Sequence, residues 1–129
     1  MPAIQVHLSA WKAWTERDDL PDRPGVYVIA KGNRENQIYI EKTWGGDGLR
    51  GRLRGFNRSA VTGEKGHAGG VTYNTTYGAN VDDLLFAYHT SRVIRDDPTI
   101  LNAYILYVER ILIWEHVELY GCLPACNSE

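Results

Sequence analysis

Cysteine is scarce: Cys122 and Cys126 are the only two among 129 residues, which excludes a dense disulfide framework. They lie close together in a turn-like tail and read as reduced thiols, with a disulfide or a metal pair left open. An excess of either charge is missing too. Fourteen basic against sixteen acidic side chains leave a net charge of −2, which argues against a polycation that coats nucleic acid. Any contact with DNA must then come from a local patch. No long apolar run is uninterrupted: the most apolar stretch, after Asp97, is broken by Glu109, Arg110, Glu115 and Glu118, so a membrane span is not expected. Met1 to Ala13 carries neither a charged leader with an apolar stretch nor a transit-peptide bias, so a cytoplasmic, reducing location is expected. Repeats, low-complexity tracts and linkers are absent. Core material, by contrast, is ample. Hydrophobic residues make up 43%, with eight tyrosines and four tryptophans, enough for one domain over residues 1–129, as a monomer or small homo-oligomer.

The chain is organised around two apolar runs, Pro24 to Ala30 and Gln37 to Lys42, joined by the polar cluster Lys31-Gly32-Asn33-Arg34-Glu35-Asn36. Such a cluster joins antiparallel strands, so the spacing predicts a β-hairpin with Tyr27 and Tyr39 on neighbouring strands. Gly45-Gly46-Asp47-Gly48 then opens a segment in which Leu49, Leu53 and Phe56 recur at helical spacing. Upstream, Ser9, Trp11 and Trp14 suggest a short capped helix within an N-terminal helical extension, 1–23, with both tryptophans on one face as a lid over the core. Residues 59–81 keep no sustained period and read as a long irregular insertion. Leu84 to His89 suits a third, buried strand. Asp97-Pro98 marks a helix start and Gly121 its stop, about six turns later.

The order of strand, turn, strand, glycine loop and helix resembles the GIY-YIG nuclease family. Gly25-Val26-Tyr27 stands in the place of the first motif and Tyr39-Ile40-Glu41 in that of the second, with Glu41 where the family has glycine. Arg52 in the next helix, Glu109 in the late apolar helix and Asn127 after it follow in register. The resemblance implies an α/β (α+β) fold with a small three-stranded antiparallel-type sheet flanked by helices. It also implies a DNA endonuclease that hydrolyses phosphodiester bonds with a divalent metal, Mg²⁺ or Mn²⁺; the alternative is a catalytically impaired nucleic-acid-binding module on the same scaffold.

On the residues themselves, a helical wheel places Arg52 at the edge of the core stripe and turns Arg50, Arg54 and Arg58 towards solvent or phosphate. With Lys65, these three form the expected nucleic-acid-binding set. Glu109 has Ile105, Leu106, Leu112 and Ile113 around it, and an ionised carboxylate there needs a cation, a metal or strong donors. An arginine such as Arg52 is one candidate partner. By resemblance, Glu109 would hold the metal, Arg52 would bind the phosphate and Tyr27 would orient or deprotonate the attacking water. A free phenol has a pKa of about 10, so deprotonation needs a nearby cation, for which Lys42 is the candidate. Tyr39 would complete the network and Asn127 would support it. The segment Lys65-Gly66-His67 is similar to the histidine-bearing segment of restriction-type members, which makes His67 a further catalytic or phosphate-contacting candidate.

Overall fold

A computed structural model describes residues 6–44, 47–90 and 97–127. Gly45 and Gly46 of the expected glycine loop, and the first five residues of the N-terminal extension, lie outside them.

The hairpin forms as the sequence predicts. Strands β2 (Gly25–Lys31) and β3 (Gln37–Thr43) flank a turn in which Asn33 Oδ1 accepts from the Glu35 and Asn36 N–H groups. Gly32 takes the left-handed conformation there, at φ +80°. Tyr27 is paired with Glu41 and Ile29 with Tyr39, but Ala30 is paired with Gln37. Ile38 is thus the extra residue of a bulge, and it joins Tyr39 in the same core cluster.

Among the described residues the sheet has four strands rather than the three expected. Strand β4 (Leu84–His89) pairs with the other side of β2, and β1 (Lys12–Ala13) pairs with β4, giving the antiparallel order β1-β4-β2-β3. A two-residue strand is too short to show in an alternation pattern. Residues 6–23 of the N-terminal extension likewise form no α-helix. Ser9, the expected cap, is bound into the sheet instead: its N–H donates to Tyr88 O (2.7 Å) and its Oγ accepts from Tyr88 N–H (3.0 Å). Only Trp14–Asp19 turns, as a 3₁₀ segment. Because the chain before it is extended, Trp11 and Trp14 do not share a face; Trp14 lies in one core cluster and Trp11 against the other.

Residues 59–81 are not irregular. Helix α1 runs over Gly48–Thr62, and a second helix, α2, spans Ala68–Tyr77. The packing face of α2 is built of glycines: a Cβ on Gly70 would meet the Phe56 carbonyl of α1 at 2.5 Å. A helix that packs by backbone approach leaves no apolar period to read. Helix α3 (Pro98–Tyr120) matches its sequence signals, with Asp97 accepting from Thr99 N–H and Gly121 left-handed at its end.

Each face of the sheet carries its own core. Tyr27, Ile29, Tyr39 and Phe86 pack with Leu49, Leu53, Phe56 and Tyr73 of α1 and α2. Val26, Val28 and Ile40 pack with Ile105, Val108, Leu112 and Ile113 of α3. Buried side chains of this size contribute about 1.5–3 kcal/mol each, so the sheet is held from both sides. Among the described residues no helix is long and apolar enough to cross a membrane.

Candidate active site

Strand alternation puts Tyr39 and Glu41 on one face of β3, and the hairpin register sets Tyr27 opposite Glu41. From α1, Arg52 reaches the same point. The Glu41 carboxylate accepts at Oε1 from the Tyr27 hydroxyl (2.8 Å) and Arg52 Nε (2.6 Å), and at Oε2 from the Tyr39 hydroxyl and Arg52 Nη2 (3.3 Å). Residues 27, 39, 41 and 52 thus meet on one partly buried carboxylate.

His67 completes the ring. It caps α2, where its Nδ1 accepts from the Gly70 N–H at 3.2 Å. The ring proton of the neutral imidazole therefore sits on Nε2, which lies 2.9 Å from the Tyr27 oxygen and 3.5 Å from Glu41 Oε1. Ser59 Oγ accepts from the His67 N–H, and Tyr39 and Phe56 meet the imidazole edge-on, so the ring is fixed on every side. Each proton points inward: His67 donates to Tyr27, and both tyrosines and Arg52 donate to Glu41.

The electrostatics follow from this arrangement. Burial by itself would raise the Glu41 pKa, but the nearby His67 imidazole and the hydrogen bonds from Arg52 and Tyr39 outweigh it and hold the carboxyl well below its usual range. Tyr27 moves the other way, pushed far up by burial and by the Glu41 charge. Tyr39 is raised by the same two causes, and Arg52 is raised by its bond to Glu41. Both phenols are therefore held protonated at neutral pH. Tyr27 is placed as a hydrogen-bond donor, not as the base that one reading of the sequence allows.

Glu109 and Asn127 stand elsewhere, along the outer edge of β3. Asn127 acts as a mimic strand: its Oδ1 accepts from Ile40 N–H and its Nδ2 donates to Ile40 O, both at 2.9 Å. Cys126 N–H donates to Ile38 O, and Lys42 N–H donates to Glu109 Oε2 at 2.8 Å. These bonds satisfy a sheet edge that would otherwise be open. The expected pairing of Glu109 with Arg52 is not formed, since Arg52 is engaged with Glu41 on the opposite face. Lys42 is the cation beside Glu109, with Nζ 3.6 Å from Oε1, and it also lies over the Trp44 ring. It cannot serve Tyr27 as expected, because alternation turns it to the other face of β3.

A pocket of about 210 Å³ wraps around this edge and joins the two groups. It is lined by Tyr39 and Glu41 on one side, by Lys42, Glu109 and Arg110 on the other, and by Gly69 and Asn127. Among the described residues no three His, Cys, Asp or Glu side chains gather as a metal cage. Glu109 nevertheless offers a single anionic ligand: one oxygen is fixed by backbone, while Oε1 has Lys42 and, at 3.8 Å, Arg110 beyond hydrogen-bond distance. Mg²⁺ commonly takes only one or two carboxylates and keeps its waters, so an ion here would rest on the Glu109 carboxylate alone, in place of the two cations now beside it.

The basic residues scatter. Arg50 Nε donates to Leu20 O at 2.8 Å and ties α1 to the segment before β2, while Arg58 pairs with Glu64 at 2.8 Å on the surface. Arg54 and Lys65 are exposed. Both cysteines are free; Cys126 is buried, which pushes its thiol up to about 11.

Comparison with known proteins finds no matching family model, no matching curated protein and no matching solved structure. Sequence reasoning missed Gly69, Thr72 and Arg110 as pocket residues. A Cβ on Gly69 would stand 2.4 Å from the Tyr39 ring, so this glycine lets the ring lie flat on α2. Glycine in a helix is a signal that could have been followed.

Proposed function

We propose that the chain is a DNA endonuclease that hydrolyses phosphodiester bonds with a divalent metal, Mg²⁺ or Mn²⁺. One observation carries this reading: Tyr27, Tyr39 and Arg52 converge as donors on a single anion, with His67 donating to Tyr27 behind them, beside a pocket that also holds Glu109 and Asn127. A donor set of two phenols, a guanidinium and an imidazole N–H is suited to a phosphoryl group, whose oxygens gain charge as the water attacks.

In this reading Arg52 binds a phosphoryl oxygen and neutralises its developing charge, as a planar guanidinium does well. Tyr27 and Tyr39, protonated, orient phosphate and water by donating hydrogen bonds. His67 fixes Tyr27 from behind. Glu109 would hold the divalent ion, which when bound would supply Lewis-acid stabilisation of the developing charge. Asn127 keeps the β3 edge in register with Glu109, and Arg110 lies on the rim where a DNA backbone would pass.

A second reading, a nucleic-acid-binding module with impaired catalysis, is favoured by two features: the Glu41 carboxylate fills the convergence point, and Lys42 already lies near Glu109. Incubation with supercoiled plasmid and a panel of duplexes, with Mg²⁺, with Mn²⁺ and with chelator, separates the two. The nuclease reading expects metal-dependent nicking, lost in Tyr27→Phe, Arg52→Ala and Glu109→Ala while the circular-dichroism spectrum is unchanged. Full activity in chelator refutes it, and normal cleavage by Glu109→Ala refutes the metal assignment.

A further inference from the structure

Glu41 is a partly buried charge whose polar partners come from several elements of the fold. Tyr27 belongs to β2, Tyr39 to β3, Arg52 to α1, and His67, which backs Tyr27, caps α2. Towards Glu41, Tyr27, Tyr39 and Arg52 all act as donors, Tyr27 in turn accepting from His67, and together they carry one positive charge. Such a ring is complementary to an oxyanion. The carboxylate fills it with two oxygens that take the bonds of Tyr27, Tyr39 and Arg52, while His67 Nε2, bonded to the Tyr27 hydroxyl, stands 3.5 Å from the nearer one. Two oxygens of a tetrahedral anion can present the same acceptors to the same donors. Glu41 also lines the pocket at the β3 edge, which gives its side chain open space beside the donors.

We propose that Glu41 is the built-in occupant of an oxyanion site, and that Tyr27, Tyr39, Arg52 and His67 take a phosphate group once its carboxylate has left. This deepens the reading of the cleft as a phosphodiester site and rests on it only for the origin of the phosphate; the site itself follows from the donor geometry. Glu41 is then a gate on affinity. Bound phosphate and the Glu41 carboxylate compete for the same donors, so the wild-type protein holds phosphate weakly.

The test is a titration with inorganic phosphate, without metal and without DNA, followed by calorimetry and by the His67 imidazole signals in NMR. Glu41→Gly should bind phosphate about tenfold tighter than wild type or better, since it removes a competitor worth at least one hydrogen bond to a charged group. Adding Arg52→Ala should abolish the gain, and Glu41→Gln, which keeps the site filled, should not show it. Equal affinity of folded Glu41→Gly and wild type overturns the proposal, as does a gain that survives Arg52→Ala. Should Glu41→Gly unfold, phosphate should restore its folding by replacing the carboxylate's contacts; failure to refold in excess phosphate also overturns the proposal. A parallel titration with a short duplex distinguishes the sources: a gain there as well assigns a phosphodiester, and a gain confined to inorganic phosphate assigns a free phosphate. Phosphate binding without any cleavage would leave the site in place and sink only the nuclease reading.

Discussion

Replacing Glu41 by glutamine removes one charge and changes almost no volume, so its cost can be worked from the contacts. With the amide oxygen in the Oε1 position, the bonds from Tyr27 and from Arg52 Nε survive as bonds to a neutral acceptor. The amide nitrogen in the Oε2 position meets the Tyr39 hydroxyl, which can reverse and accept, and Arg52 Nη2, which cannot. Hydrogen bonds to charged groups are worth about 1.5–3 kcal/mol against about 0.5–1.5 for neutral ones, so the loss over the two Arg52 contacts is about 2–3 kcal/mol. The Arg52 side chain is 37% exposed, which screens the pair and favours the lower figure, about 2 kcal/mol. For a chain of this size that lowers Tm by roughly 6–10 °C. The pH dependence gives the sharper check. The folded-state pKa of Glu41 is depressed, so its charge stabilises the fold fully above the unfolded value of about 4.3 and progressively less as pH falls below it. Urea titrations of wild type and Glu41→Gln should therefore differ by a constant amount from pH 5 to 7 and converge below about pH 4. Equal stability at pH 7, or a gap that widens on acidification, refutes the account of Glu41 as a charge held by its donors.

Gly69→Ala and Gly55→Ala should behave oppositely in urea unfolding. At Gly69 the new methyl would press on the rigid Tyr39 ring at 2.4 Å, an overpacking cost of about 1–3 kcal/mol that exceeds the gain in helix propensity; at Gly55 the nearest atom is at 3.9 Å, so up to about 1 kcal/mol of stabilisation is expected. A destabilised Gly55→Ala together with a neutral Gly69→Ala would show the α1–α2 packing to be wrong. For DNA, Arg54→Ala and Lys65→Ala should each flatten the salt dependence of binding by about one unit, whereas Arg50→Ala should act mainly on stability through its bond to Leu20. Unchanged slopes for Arg54→Ala and Lys65→Ala would remove these residues from the binding face.

Local signals carried much of the fold. The β2–β3 hairpin was legible because Asn33 and Gly32 form a turn from their own side chains and backbone freedom, and α3 because Asp97, Pro98 and Gly121 act within a few residues. Lys42 was expected beside Tyr27 and stands by Glu109 instead, although alternation in β3 already turns it away from Tyr39 and Glu41. Sequence could also isolate Tyr27, Tyr39, Arg52, Glu41, Glu109 and Asn127 as chemically notable. It could not read α2, whose packing face is glycine, nor β1, whose two residues form a strand only because β4 is there to pair with them. The division of the site was a tertiary decision as well. Arg52 and Glu109 are each an obvious partner for an opposite charge, but the sheet stands between them, so Glu41 takes the arginine on one face while Lys42 and its own backbone N–H take the glutamate at the edge. The positions of the charges lay in the sequence; which of them meet was settled by the two faces of one sheet.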